Sequence, residues 1–125
     1  MKIDSLNALK SIIQRAGFFE AVVSGVNDWD EALDERDEED FDSAWSDAYE
    51  KLKSLEYSSA GDEEVVSDVR ESVFKKIYSL TKSSDVAGYI SDDIGLVADS
   101  ISKSCNIEWV ESLFEVYCAG KFPNR

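Results

Sequence analysis

Carboxylates are the side chains of this sequence whose number and spacing could do chemistry. Residues 28–42 read DWDEALDERDEEDFD and are called the acidic run below. They hold ten carboxylates and one cation, Arg36, which gives the acidic run a net charge of −9 in a chain whose total is −14. Closely spaced carboxylates can hold divalent cations or attract a basic partner. The rest of the sequence must be used to choose between these two interpretations.

A metal site is the most specific enzymatic interpretation of the closely spaced carboxylates. Carboxylates three or four residues apart share one face of a helix, and three pairs have this spacing: Glu31 with Asp34, Glu39 with Asp42, and Glu64 with Asp68. Helical nucleotide pyrophosphatases use related pairs, so a metal-dependent phosphohydrolase of helical type is one alternative. However, the pairs flank or oppose the apolar stripes, and no Lys or Arg stands beside them to meet a phosphate. We therefore predict no metal, no cofactor and no enzymatic activity.

Other catalytic arrangements also lack essential residues. The sequence contains no histidine, so the usual base of a nucleophilic triad is missing. A calcium loop beginning at Asp28 would need an oxygen ligand and a glycine where Ala32 and Leu33 stand. Cys105 and Cys118 have no cation beside them in sequence and no CxxC spacing, which is typical of buried thiols in a reducing compartment.

Binding of a positively charged protein is the interpretation that we favour for the acidic run. Aromatic residues lie among its carboxylates, and such a mixture supplies both an anchor and long-range steering. The alternative is a solvated helix face with no partner. The predicted partner-binding residues are Asp28, Trp29, Asp30, Glu31, Asp34, Glu35, Asp37, Glu38, Asp40 and Phe41.

Composition limits the class of protein and its partners. A chain of 125 residues with 43% apolar residues is large enough for one core, so residues 1–125 are predicted to form a single domain. A pI near 4.2 disfavours binding to nucleic acid or to an anionic membrane. Polar residues interrupt the N-terminal segment, and no apolar run reaches the roughly 18 residues of a membrane span, so a cytoplasmic protein is expected. The oligomeric state is left open.

Helical spacing of apolar residues predicts an all-α fold, a compact bundle-like array of five to six helices. The apolar stripe from Phe19 to Leu33 fits one helix interrupted by Gly25, or two helices of which the second is capped by Asn27 or Asp28. The other helices are predicted at about 5–16, 37–58 and 62–80, then after a cap at Ser84 or Asp85, and after a cap at Asn106.

A helical homodimer that serves as an adaptor is a further alternative. Gly88 and Gly95 are seven residues apart on one face of the fifth predicted helix. Small residues at this spacing would allow a neighbouring helix to approach closely, and the acidity would then serve only solubility.

The chain also resembles a known class of proteins. Its size, acidity and helical layout are similar to those of the immunity proteins that bacteria pair with toxin domains, in contact-dependent growth inhibition, other polymorphic toxin and colicin-type systems. The closing stretches ISDDIGLVADSI and NIEWVESLFEVYCAGKFP resemble the ends of small bacterial helical domains found near such loci. The resemblance implies a cognate toxin, often a nuclease, whose basic cleft is blocked by carboxylates that stand where phosphates would lie.

Overall fold

The computed structural model describes residues 3–124, and this part of the chain contains seven α-helices and no β-strand. The predicted all-α class is confirmed, but the number of helices is seven instead of five to six. The helices are α1 (Leu6–Ile13), α2 (Phe18–Ser24), α3 (Trp29–Arg36), α4 (Glu39–Lys53), α5 (Asp62–Thr81), α6 (Ser84–Ser102) and α7 (Glu108–Cys118).

The additional helix arises because the stripe after Gly17 is divided into α2 and α3. Gly25 forms the C-terminal cap of α2, and Asp28 begins the next helix by accepting a hydrogen bond from the backbone N–H of Glu31 at 3.2 Å. An aspartate in this position satisfies an N–H that has no partner inside the helix. Of the two alternatives read from the sequence, the one with two helices and a cap at Asp28 is confirmed.

Two predicted caps are wrong by one residue. The side chain of Ser83, and not that of Ser84 or Asp85, accepts the hydrogen bond from Val86 N–H that begins α6. The residue before α7 is Ile107, and it makes no side-chain capping bond, so Asn106 lies just outside the helix. Such small shifts are the usual error at helix ends.

Helix α6 is the centre of the fold. It packs most extensively against α5 and also contacts α1, α4 and α7. Its apolar stripe of Val86, Ile90, Ile94 and Val97 is at most 4% exposed. Burying side chains of this size stabilises the folded chain by about 1.5–3 kcal/mol each before entropy is counted. The other helices are therefore arranged around this buried central helix.

A side chain of the same molecule packs against the glycine face of α6, which contains Gly88 and Gly95. A Cβ atom added at Gly95 would lie 2.5 Å from Cδ of Arg70, which belongs to α5, whereas one added at Gly88 would meet nothing within 4 Å. The space at Gly95 is thus filled by an arginine side chain of the same molecule, and not by a second copy.

None of the helices within residues 3–124 has both the length and the apolar character that are needed to cross a membrane.

Candidate partner-binding surface

The acidic run forms α3, the α3–α4 junction and the first turn of α4. Nine of its ten carboxylate side chains are exposed, and Glu35 is half-buried. Asp30 and Glu31 lie in the first turn of α3, and Glu39, Asp40 and Asp42 lie in the first turn of α4. Acidic residues suit these positions because helix N-termini carry partial positive charge. Part of the acidity therefore has a local structural role.

The single cation of the acidic run does not offset this surface charge, because Arg36 turns into the core and is only 4% exposed. Its two terminal nitrogens donate to the two carboxylate oxygens of Asp93, at 2.9 and 2.7 Å. Asp93 belongs to α6 and is fully buried. Arg36 therefore pairs with a buried carboxylate instead of the surface ones, which leaves the surface of the acidic run purely negative.

Arg36, Trp45, Asp93 and Tyr117 make up what we call the Asp93 centre. In addition to the two bonds from Arg36, Asp93 accepts hydrogen bonds from Trp45 Nε1 at 3.0 Å and from the Tyr117 hydroxyl at 2.5 Å. Burial raises the pKa of Asp93, and the charge of Arg36 and these donors oppose that rise. The four donors satisfy both oxygens of an ionised carboxylate, so the centre joins α3, α4, α6 and α7 as one polar unit.

Sequence reasoning missed the Asp93 centre, although both charged residues carried a signal. Asp93 lies three residues after Ile90 and four before Val97, on the apolar stripe of α6. Arg36 lies three residues after Leu33 and continues the stripe that runs through α2 and α3. A charged residue at a core position of a helical stripe indicates a buried ion pair, because an unpaired charge would be too costly there.

The two aromatic residues of the acidic run pack into the protein. Phe41 is 7% exposed, its ring lies 4.3 Å from the guanidinium carbon of Arg36, and it contacts Trp109 edge to face. Trp29 is half-buried and packs against Phe122 with ring centroids 5.1 Å apart. The side chain of Phe41 therefore packs in the core of the free chain.

Two carboxylates of the acidic run are tied to other parts of the fold. The Tyr89 hydroxyl donates to Asp37 at 2.6 Å, and this hydrogen bond raises the pKa of Tyr89 to about 12. Glu35 accepts a hydrogen bond from the side chain of Asn124 at 3.0 Å. The acidic run is thereby fixed to α6 and to the C-terminal segment, which makes its carboxylates a preorganised surface.

A cleft of about 500 Å³ lies where α4, α5 and α6 meet, and we call it the aromatic cleft. Trp45 and Tyr49 stack on each other with ring centroids 5.5 Å apart, and Tyr49 is 42% exposed. The residues that line the cleft are Trp45, Tyr49, Tyr57, Glu63, Val66, Ser67, Arg70, Asp92, Gly95, Leu96 and Asp99.

The residue types of a metal site do not converge anywhere in the described range. Within residues 3–124 no group of three or more His, Cys, Asp or Glu side chains is placed to hold a metal ion. The acidic pairs predicted from helical spacing thus stay pairs without a third ligand. Cys105 and Cys118 are free and half-buried, and burial raises the pKa of the Cys118 thiol. A thiol of raised pKa is a poor nucleophile at neutral pH.

Comparison with known proteins gives one informative match. No curated protein matches the chain. The family model described as Immunity protein PIM1 matches residues 8–124, which include all seven helices apart from the start of α1, the acidic run and the Asp93 centre. Because this match covers most of the chain, the protein belongs to the PIM1 family of immunity proteins.

Proposed function

We propose that this immunity protein neutralises a cognate toxin by binding it directly, without catalysing a reaction, and that the exposed carboxylates of the acidic run face a basic surface of the toxin. Membership of the immunity family supports a toxin as the partner. The observation that carries the proposal is the inward turn of Arg36, which leaves the acidic run with no opposing charge of its own.

The electrostatic cost of this surface supports a binding role. Exposed like charges repel one another and destabilise the compact state, and a basic partner relieves that repulsion. Opposite charges also accelerate the encounter of two proteins. At physiological salt this attraction acts over about 8–10 Å before it is screened. Carboxylates held on short helices present this field in a fixed geometry.

A nuclease is the toxin type that best fits such a surface. Nucleases bind phosphates with Lys and Arg side chains, and this makes their substrate clefts basic. The exposed carboxylates of α3 and of the α4 start could occupy such a cleft in place of phosphates. The toxin would then be inhibited because its substrate is excluded, and the immunity protein would need no chemistry of its own.

Co-expression with the cognate toxin tests this function. The substitutions Asp30→Lys, Asp34→Lys and Glu38→Lys together should abolish protection of the cell and weaken toxin binding at least about tenfold, since they replace attraction by repulsion. The side chains of all three are exposed.

A matched variant controls for net charge. Glu64→Lys, Asp68→Lys and Glu111→Lys change the charge equally at exposed positions of α5 and α7. This variant should protect as well as the original protein does. Full protection by the acidic-run variant, with folding intact by circular dichroism, would refute the proposed function.

A further inference from the structure

The sequence predicts an aromatic anchor within the acidic run, at Phe41 or Trp29. A more exposed aromatic side chain lies outside the acidic run. Phe41 is in the core, whereas Tyr49 on α4 keeps 42% of its side chain exposed at the wall of the aromatic cleft. Asp42, Trp45 and Tyr49 follow one another at helical spacing on α4, so the same helix leads from the acidic run to the cleft. An aromatic side chain beside a cleft is the usual form of an interface anchor.

The lining of the aromatic cleft suits a cation. It contains three carboxylates, Glu63, Asp92 and Asp99, and one cation, Arg70. Arg70 pairs with Asp92 at 2.5 Å, and Asp99 accepts a hydrogen bond from the Tyr57 hydroxyl at 3.0 Å. Glu63 makes no ion pair within the described part of the chain. The lining residues therefore carry a net charge of −2 before the two lysines at the rim, Lys53 and Lys103, are counted.

Three cations of the chain itself already lie at the wall or the rim of the aromatic cleft. The side chain of Arg70 crosses Gly95 at the cleft wall, where the missing Cβ makes room for it. At the rim, Lys103 Nζ lies 4.5 Å from the ring centroid of Tyr57, and Lys53 Nζ lies 5.9 Å from that of Tyr49. Cations are attracted to aromatic faces at such distances. The open space of about 500 Å³ leaves room for one more.

The aromatic cleft adjoins the acidic run. A second, smaller depression of about 150 Å³ shares Trp45 and Asp92 with the cleft and is also lined by Asp37 and Asp42 of the acidic run. A basic surface that covers the acidic run would therefore lie next to the cleft.

We propose, on the basis of the function proposed above, that the aromatic cleft receives an arginine side chain of the toxin. Its guanidinium stacks on the exposed ring of Tyr49 and pairs with Glu63 and Asp99. Arginine is favoured over lysine because its planar group both stacks on aromatic rings and pairs with carboxylates. The acidic run then steers the toxin, and the aromatic cleft anchors it.

Nuclear magnetic resonance with N-acetyl-arginine amide as the probe tests the cleft without the toxin. The chain has three tryptophans, and Trp45 alone lines the cleft, so its indole N–H resonance should move on titration while those of Trp29 and Trp109 stay in place. N-acetyl-citrulline amide, which has the same shape without the charge, should have little effect.

Matched variants sharpen this titration. Tyr49→Ala and Glu63→Gln should each weaken the response about tenfold or more. Tyr78→Ala and Glu64→Gln should leave it unchanged. Tyr78 is also exposed and stacks on an aromatic residue four positions earlier, Phe74, so it reproduces the local setting of Tyr49 outside the cleft. No movement of the Trp45 resonance, or equal movement of all three, would overturn the proposal.

Toxin binding separates this proposal from the one on which it rests. A loss of toxin affinity of about tenfold in Tyr49→Ala and Glu63→Gln, with none in the two control variants, supports the anchor. Unchanged affinity in these cleft variants, together with a loss in the lysine variant of the acidic run, overturns the anchor and keeps the proposed function. Unchanged affinity in the acidic-run variant overturns the proposed function, and the arginine titration still decides whether the cleft binds the guanidinium group.

Discussion

The acidic run and the Asp93 centre use the same functional group under opposite conditions. The acidic run places nine exposed carboxylates in water, where each is solvated and their mutual repulsion is the main cost. Asp93 is completely buried, and its charge would strongly destabilise the fold without partners. Four hydrogen bonds and the charge of Arg36 compensate this cost. The number of carboxylates in a region therefore says little about their importance for stability.

Arg36 connects the two regions. It lies within the acidic run in sequence but belongs to the Asp93 centre in space. By leaving the surface it makes the acidic run more negative, and by pairing with Asp93 it ties α3 to α6. We therefore expect substitutions at the Asp93 centre to act on stability and substitutions in the acidic run to act on binding.

The largest expected effect is that of Asp93→Ala. It leaves Arg36 buried without its partner and removes the acceptor of Trp45 and Tyr117, so the free energy of unfolding should fall by about 3–5 kcal/mol. Urea denaturation followed by circular dichroism measures this change.

Asp34→Ala in the acidic run is the control for that substitution. Its side chain is exposed, and the free energy of unfolding should change by no more than about 0.5 kcal/mol. Similar losses in the two variants would remove the distinction between the two regions. A loss below about 1 kcal/mol for Asp93→Ala would show that the Asp93 centre does not hold the helices together.

The fold could be predicted from the sequence where apolar spacing and capping residues agree. The α5 start at Asp62, the long α6 and the cap at Asp28 follow from such patterns. The separation of α2 from α3 is one of two alternatives that the sequence allows, because the apolar stripe continues through Gly25. Only packing decides whether a chain bends at such a residue or continues.

The candidate site was less predictable. The density of carboxylates is a property of the sequence and identified the acidic run, but the direction of each aromatic side chain is a property of packing. The sequence thus predicts an anchor at Phe41, whose side chain fills the core beside Arg36. The aromatic cleft depends on residues of α4, α5 and α6 that are far apart in sequence, so no local pattern could indicate it.

A smaller effect is expected where the acidic run touches α6. Tyr89 donates to Asp37, and its pKa is about 12 against an ordinary 10.0. Because the folded state holds this proton more tightly, the contribution to stability is complete below pH 10 and is lost as the pH rises through 12. Asp37→Asn should lower the pKa of Tyr89 toward its ordinary value, as followed by ring resonances in a pH titration.

Tyr57 is an internal control for this titration. Burial, followed by its hydrogen bond to Asp99, raises its pKa to about 12 as well. Asp37→Asn should leave the Tyr57 pKa unchanged. An unchanged Tyr89 pKa in this variant would show that the contact between Asp37 and α6 does not persist in solution.

The smallest effect on stability is expected from neutralising α3. Asp30→Asn and Glu31→Gln remove charges that favour the helix start, whereas Asp34→Asn removes the repulsion between Asp34 and Asp30, four residues apart. These contributions oppose each other, and the free energy of unfolding should change by no more than about 0.5 kcal/mol per substitution. Thermal denaturation measures it. A loss comparable to that of Asp93→Ala would contradict the separation of stability from binding.

The rate of association with the cognate toxin tests the central claim most directly. Stopped-flow measurements at increasing salt should show a steep fall for the original protein, and a lower rate with a weaker salt dependence for the variant with neutralised α3, because surface attraction is screened within 8–10 Å. Association that is equally fast in both proteins and indifferent to salt would contradict the claim that the acidic run attracts a basic toxin.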